Sequence, residues 1–167
     1  MTYEQFLTSK RHADDQYGFA PLWLPDFLFD FQKALVEWSI RKGRAAMFED
    51  CGLGKSIQEL VWAENVVRKT NKSVLILTPL AVGPQMVKEG EKFGIECKQT
   101  RDGKVCKGIN VTNYEQLHKL DPSKFAGVVG DESGAIKHAD SKTRHQVTTF
   151  LQKIKYRLLA TATPSRS

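Results

Sequence analysis

Short apolar runs alternate with stretches of helical periodicity along most of this chain. Val74-Leu75-Ile76-Leu77 is a continuous apolar run of strand length, suited to a parallel sheet covered on both faces. Similar runs at 45–48, 109–112, 125–130 and 156–160 read as further strands, and 96–99 as a short one. Between them the spacing of apolar residues predicts helices over about 30–42, 55–68, 81–93 and 142–153, with a short helix near 114–117. In the first helix Phe31, Ala34, Leu35 and Trp38 share one face, expected to point inward, and Gly43 can terminate it. In the second, Ile57, Leu60, Val61 and Val67 form the apolar stripe. Residues 101–107, with Asp102-Gly103, read as a turn or exposed hairpin.

The regular alternation of strand and helix predicts an α/β fold with a mainly parallel sheet between helices. Right-handed connections then gather the loops after successive strands along one carboxyl edge, where ligands collect. Residues 1–26 hold Tyr3, Phe6, Tyr17, Phe19 and Trp23 among polar residues, interrupted by Pro21 and Pro25. They read as an N-terminal extension packed on the core, with the domain proper over 27–167.

A length of 167 residues fits one ordinary domain, and 41% hydrophobic residues suffice for a full core. No apolar run approaches the ~20 residues that span a bilayer, and Glu4, Lys10, Arg11, Asp14 and Asp15 break up any leader-like stretch. Cys51, Cys97 and Cys106 are odd in number and far apart, offering neither a disulfide framework nor a Cys-x-x-Cys metal site. These features lead us to expect a cytoplasmic protein without a membrane partner. A formal charge of +6 suits a polyanionic partner such as nucleic acid, with the densest basic groups at Arg41, Lys42, Arg44 and at Lys137, Lys142, Arg144.

The candidate chemistry lies in two places. Glu49 to Ser56 reads E-D-C-G-L-G-K-S, directly after the first strand and before the second helix. Gly52 and Gly54, with Leu53 between them, allow a tight turn whose amides face inward as an anion nest at the helix N-terminus. Lys55 would reach the β- and γ-phosphates of a nucleoside triphosphate, and Ser56 would supply a hydroxyl to Mg2+. The general pattern G-x-x-x-x-G-K-[ST] is not fully met, because Glu49 stands where the first Gly belongs. Downstream, Val128, Val129 and Gly130 lead into Asp131 and Glu132. Asp131 suits magnesium, and Glu132 suits the general base that orients an attacking water. Gly130 leaves the strand end without a side chain, which reduces packing or admits a neighbour closely.

With these residues in hand, the chain resembles the first RecA-like domain of a superfamily 2 helicase, above all the SNF2-type translocases and related phage helicases. In that branch the loop reads D-E-x-G-L-G-K-T, which accounts for Glu49. The resemblance runs from about residue 27 to 164. It implies ATP and Mg2+ as cofactors, Gln32 as the residue that reads adenine, and Tyr17, Phe19 or Trp23 as possible stacking partners for the base. Thr78-Pro79 and Thr112-Asn113 resemble segments that contact a nucleic-acid backbone. Asp131-Glu132-Ser133-Gly134 matches the D-E-x-H box at two places, with Gly134 in place of His and Lys137 where SNF2-type chains often carry Lys. Thr161 and Thr163, in Thr161-Ala162-Thr163-Pro164, resemble the motif that couples nucleotide state to a second domain.

The function so implied is the ATP-binding lobe of an ATP-dependent translocase or helicase in a bacterial or phage-infected cell. Its expected partner is double-stranded DNA, bound through the backbone. The resemblance also implies a second RecA-like domain in cis in a parent protein, bringing the arginine finger, so that this one lobe hydrolyses ATP weakly or not at all. The other reading is a nucleotide-dependent DNA- or partner-binding module without productive turnover.

Overall fold

The computed structural model describes residues 17–49, 54–132, 136 and 138–162, with backbone alone at 48–49 and 161–162. Six strands form one sheet: β1 (Arg44–Glu49), β2 (Ser73–Thr78), β3 (Cys97–Gln99), β4 (Ile109–Asn113), β5 (Phe125–Asp131) and β6 (Tyr156–Ala162). Their order is β1-β6-β5-β2-β4-β3, and every neighbouring pair is parallel. The helices are α1 (Asp30–Lys42), α2 (Lys55–Thr70), α3 (Gly83–Lys92) and α4 (Ser141–Gln152), with 3₁₀ turns at Tyr114–Lys119 and Pro122–Lys124. The α/β architecture and parallel sheet expected from the alternation are both present, and each element falls within two residues or so of its expected place.

Alternation along β2 divides the core. Val74 and Ile76 join Val36, Ile40, Leu60, Trp62 and Met86 on one face, packed by α1, α2 and α3. Leu75 and Leu77 join Val147, Phe150 and Leu117 on the other, packed by α4 and the first 3₁₀ turn. A strand covered on both faces has no polar side to show, which is why β2 reads as an unbroken apolar run.

One expectation is corrected. The inward face of α1 carries Gln32, Val36, Ser39 and Ile40, whereas Phe31 and Trp38 remain 45% and 39% exposed. The two polar residues enter the interior because their bonding is satisfied there. Gln32 Oε1 accepts from the Phe29 amide at 2.9 Å, and Ser39 Oγ donates to the Val36 carbonyl at 2.8 Å. Hydrophobicity alone favours the neighbouring stripe. The end of α1 is as expected: Gly43 adopts φ 76° and its N–H donates to Ser39.

Residues 17–29 lie against this layer. Phe19 meets Tyr156 edge-on at 5.3 Å, and its amide donates to the Ile40 carbonyl. The buried amide of Asn65 on α2 holds the segment most firmly. Its Oδ1 accepts from Leu22 and Trp23 N–H at 2.8 and 2.9 Å, while Nδ2 donates to the Trp23 and Val61 carbonyls, both at 2.8 Å. Asn65→Ala leaves the Leu22 and Trp23 backbone groups without these partners. We expect it to lower unfolding free energy by roughly 2–4 kcal/mol in urea titration; a change below about 0.5 kcal/mol, the range of plain surface substitutions, would show that the clamp does not secure residues 17–29.

Candidate nucleotide site

The loop after β1 returns to the sheet at Gly54, the residue that caps α2 with φ 76°. A Cβ there would stand 2.3 Å from Gln32 Nε2, the end of a side chain, so it is the left-handed backbone that calls for glycine at 54. Lys55 opens α2, with Ser56 half-buried beside it. β6 lies between β1 and β5, and Lys55 at the start of α2 stands at the acidic end of β5. Lys55 Nζ lies 3.3 Å from Asp131 Oδ1 and donates a hydrogen bond to Glu132 Oε1. The two segments of candidate chemistry therefore meet at the carboxyl edge of the sheet.

Several features hold the acidic end in place. Gly130 is closely approached, since a Cβ would meet Leu159 Cδ2 at 2.9 Å and the Tyr114 hydroxyl at 3.3 Å. That hydroxyl donates to the Asp131 carbonyl at 2.8 Å. Burial, followed by the charges of Asp131, Glu59 and Glu132, pushes the Tyr114 phenol far up, so it remains a donor. Glu132 turns out of the strand with φ 53°, a left-handed conformation that costs a non-glycine residue about 1–3 kcal/mol. The turn carries its half-buried carboxylate back to Lys55.

Glu59, one turn after Lys55 on α2, was not singled out by the sequence. It is completely buried, and no donor meets either carboxylate oxygen; Asp131 Oδ1 likewise lacks a hydrogen-bond donor. Burial first, then the neighbouring Asp131 carboxyl and its charge, raise the Glu59 carboxyl well above its ordinary value of 4.5. Burial lowers Lys55, but its bond to Glu132 and the charges of Asp131, Glu59 and Glu132 outweigh that and leave it raised. The available signal for Glu59 was a charged residue four positions after Lys55, inside an otherwise apolar stretch of α2.

These donors fit a magnesium ion. They are hard oxygens, they lie at a helix start and a strand end, and the buried Asp131 Oδ1 accepts no hydrogen bond. Among the described residues no three His, Cys, Asp or Glu side chains form a metal cluster by themselves. That suits an ion held by one or two protein groups together with water and a ligand's phosphates. Gly52, Leu53 and Thr163 lie outside the described residues, as do Cys51, Ser133, Gly134 and Lys137; Thr161 is placed by its backbone alone, opposite Phe48 on β1.

Gln32 lies beside Gly54, with the Phe29 amide on its Oε1. The aromatics considered for base stacking are engaged elsewhere. Tyr17 covers Arg44 at 4.2 Å near the amino end of β1, Phe19 packs on Tyr156, and Trp23 covers Arg68 at 4.5 Å. The rings flanking Gln32 in the chain, Phe29 and Phe31, are exposed and stacked on each other at 6.1 Å.

Farther along the same edge, Thr78, Thr112 and Asn113 line a cavity of about 270 Å³ together with Arg101 and Lys119, two cations the sequence did not mark. Pro79 follows Thr78 and accepts its hydroxyl proton at 2.9 Å, while Asn113 Oδ1 caps the 3₁₀ turn by accepting from Gln116 N–H. The turn expected near Asp102-Gly103 forms, with φ 59° and 75°, and a Cβ on Gly103 would stand 2.6 Å from the Lys119 carbonyl. This close approach brings Arg101 and Lys119 to one cavity.

The all-parallel sheet flanked by helices is the RecA-like fold seen in the helicase structures to which the chain is similar. Among curated proteins it is similar to the uncharacterized ATP-dependent helicase YqhH of Bacillus subtilis (strain 168), with 30% identity over 158 residues, 87% of this chain and 28% of that protein. Its fold is similar to the UvsW helicase of bacteriophage T4, with TM-score 0.69 and 14% identity over 93% of this chain and 59% of that one. It is also similar to the SWI2/SNF2 ATPase core of Sulfolobus solfataricus in complex with dsDNA, with TM-score 0.68 and 22% identity over 87% of this chain and 34% of that one. The chain thus spans little more than a quarter of its curated relative. No protein-family profile matches it. Among the described residues no helix is long and apolar enough to cross a membrane.

The raised Glu59 carboxyl makes a prediction about stability. Glu59 keeps its proton in the folded state at a pH where the unfolded chain has lost it. Its contribution is therefore full below the ordinary glutamate range and declines as pH rises toward the folded-state value. In EDTA, the melting temperature of the wild type relative to Glu59→Gln should fall by roughly 3–5 °C per pH unit inside that window. A difference independent of pH from 4.5 to 8 would show that Glu59 titrates normally.

Proposed function

We propose that this chain is the first RecA-like, ATP-binding lobe of an ATP-dependent nucleic-acid translocase or helicase that acts in the cytoplasm. The observation that carries this reading is the meeting of Lys55 with Asp131 and Glu132 at the carboxyl edge of the sheet. In this reading the loop amides and Lys55 bind the triphosphate, and Ser56 and Asp131 hold Mg2+, which supplies charge neutralisation at the phosphates. Glu132 orients the attacking water, released from Lys55 as the ammonium turns to phosphate. Gln32 reads the base, and Thr161 and Thr163 transmit the state of the site to a second RecA-like domain carried in cis. That domain would supply an arginine worth about 10³–10⁵ in rate, so the lobe alone turns over slowly.

Lys55→Ala should weaken ATP binding by roughly 10–100-fold in calorimetry, through loss of charge-assisted bonds to phosphate. Glu132→Gln should retain ATP, while a two-lobed parent carrying it loses turnover. Equal affinity in Lys55→Ala and wild type would remove Lys55 from the site, and unchanged hydrolysis would remove Glu132 as the base.

For the nucleic acid we propose double-stranded DNA gripped by its backbone. Support comes from the formal charge of +6, from the SNF2 ATPase core solved with dsDNA, and from the cavity where Arg101 and Lys119 join Thr78, Thr112 and Asn113. Each phosphate contact contributes about 0.9 to the slope of log affinity against log salt. Arg101→Ala with Lys119→Ala should therefore reduce that slope by about 2 for duplex DNA in fluorescence anisotropy. An unchanged slope would place the backbone elsewhere.

A further inference from the structure

The sheet has an open face at the starts of β1 and β6, away from the nucleotide site. Side chains alternate along these strands. Ala45, Met47, Leu158 and Ala160 join the core on the α1 and α2 side, so Arg44, Ala46, Arg157 and Leu159 point to the other face. There α4 covers β2 and β5 through Val147 and Phe150, yet at β1 it leaves Ala46 exposed and Leu159 half-buried. The result is a groove of about 520 Å³, with Ala46, Leu151 and Leu159 as its apolar lining and Lys42, Arg44 and Arg157 as its cations. A parallel sheet is ordinarily covered on both faces, and the described residues leave part of that cover missing.

The charge of the groove is one-sided. The strand register sets Arg44 beside Arg157. Arg44 Nε donates to the Lys155 carbonyl at 3.1 Å, and Arg157 donates to the Ile154 and Gln152 carbonyls at 2.7 and 2.9 Å. These acceptors are neutral, and a guanidinium has more N–H donors than such bonds use. Among the described residues no carboxylate lines the groove. Two adjacent cations beside an apolar floor suit an occupant that is acidic at one place and apolar at another. A nucleic-acid backbone would meet the guanidiniums but leave the apolar floor unused.

The chain itself carries such a segment to this place. The Tyr17 ring lies over the Arg44 guanidinium at 4.2 Å, so residues 1–16, which are outside the described residues, join the chain at the edge of the groove. Asp14 and Asp15 precede Tyr17 in sequence, within ~10 Å of it along an extended chain. Tyr3, Phe6 and Leu7 have the i, i+3, i+4 spacing of one helical face, and the chain from Leu7 to Tyr17 can span ~35 Å. We infer that residues 1–16 cover the groove, with Asp14 and Asp15 against Arg44 and Arg157 and with Phe6 and Leu7 on the apolar floor. The inference is independent of the nucleotide reading, because Lys55 and Asp131 lie at the other edge of the sheet.

The test follows chymotrypsin cleavage after Phe6 in the full chain by mass spectrometry, with a synthetic peptide of residues 1–16 as the uncovered reference. Cleavage of an opening segment tracks the population of its open form. The wild type should be cut at least ~10-fold more slowly than the peptide. Asp14→Lys with Asp15→Lys, and separately Arg44→Glu, should each raise the rate about 5-fold, the worth of one or two exposed ion pairs. The combined variant should be cut more slowly than either parent, since the reversed charges attract again. Lys98→Glu, on the strand at the opposite edge of the sheet, should match the wild type. A wild-type rate equal to that of the peptide overturns the inference. So do charge variants that leave the rate unchanged, or effects that simply multiply in the combined variant. Should Arg44→Glu fail to fold, Arg44→Gln takes its place in the same cycle, and multiplying effects there overturn the inference as well.

Discussion

The charged cluster around Lys55 is the constraint to which the carboxyl edge of this sheet is built. An ammonium withdrawn from water is stable only if anions face it, and anions withdrawn from water are stable only if cations or donors do. Lys55 between Asp131 and Glu132 meets the first condition, and Glu59 strains the second. The neighbouring backbone shows the consequences. Gly54 takes a left-handed turn beside Gln32, Gly130 lies close against Leu159 and the Tyr114 hydroxyl, and Glu132 takes a left-handed turn that brings its carboxylate round. Among the described non-glycine residues Glu132 shares its left-handed backbone with Asn71 and Asp102, and of the three it alone carries a carboxylate to Lys55.

What could be read from the sequence follows from which signals are local. The strands are legible because a run such as Val74 to Leu77 needs no knowledge of its neighbours to be apolar. The loop and acidic pair are legible because Gly54-Lys55-Ser56 and Asp131-Glu132 are contiguous. The inward face of α1 was not, because Gln32 and Ser39 become acceptable interior residues only through bonds to Phe29 and Val36 that hydrophobicity does not weigh. Glu59 was hidden for a related reason: its importance depends on Asp131, far away in sequence and adjacent only once β5 lies under α2. Arg101 and Lys119 were likewise ordinary surface cations until Gly103 folded one turn against the other.

The register of the sheet ties the two candidate sites together. Leu77 pairs with Gly130 on β5, which sets the next residues, Thr78 and Asp131, side by side at the strand ends. Thr78 in turn pairs with Asn113 on β4. Asp131, Thr78 and Asn113 therefore form a row along one edge, the first in the nucleotide site and the other two in the cavity with Arg101 and Lys119. Parallel strands hydrogen-bonded along their length do not slide past one another, so the spacing between the sites is fixed by the fold.

Tyr114 supplies a more direct link. It follows Asn113, whose side chain caps the 3₁₀ turn that starts at Tyr114, and its hydroxyl reaches back to the carbonyl of Asp131. Gly130 is what permits the contact, since any Cβ there would crowd the hydroxyl.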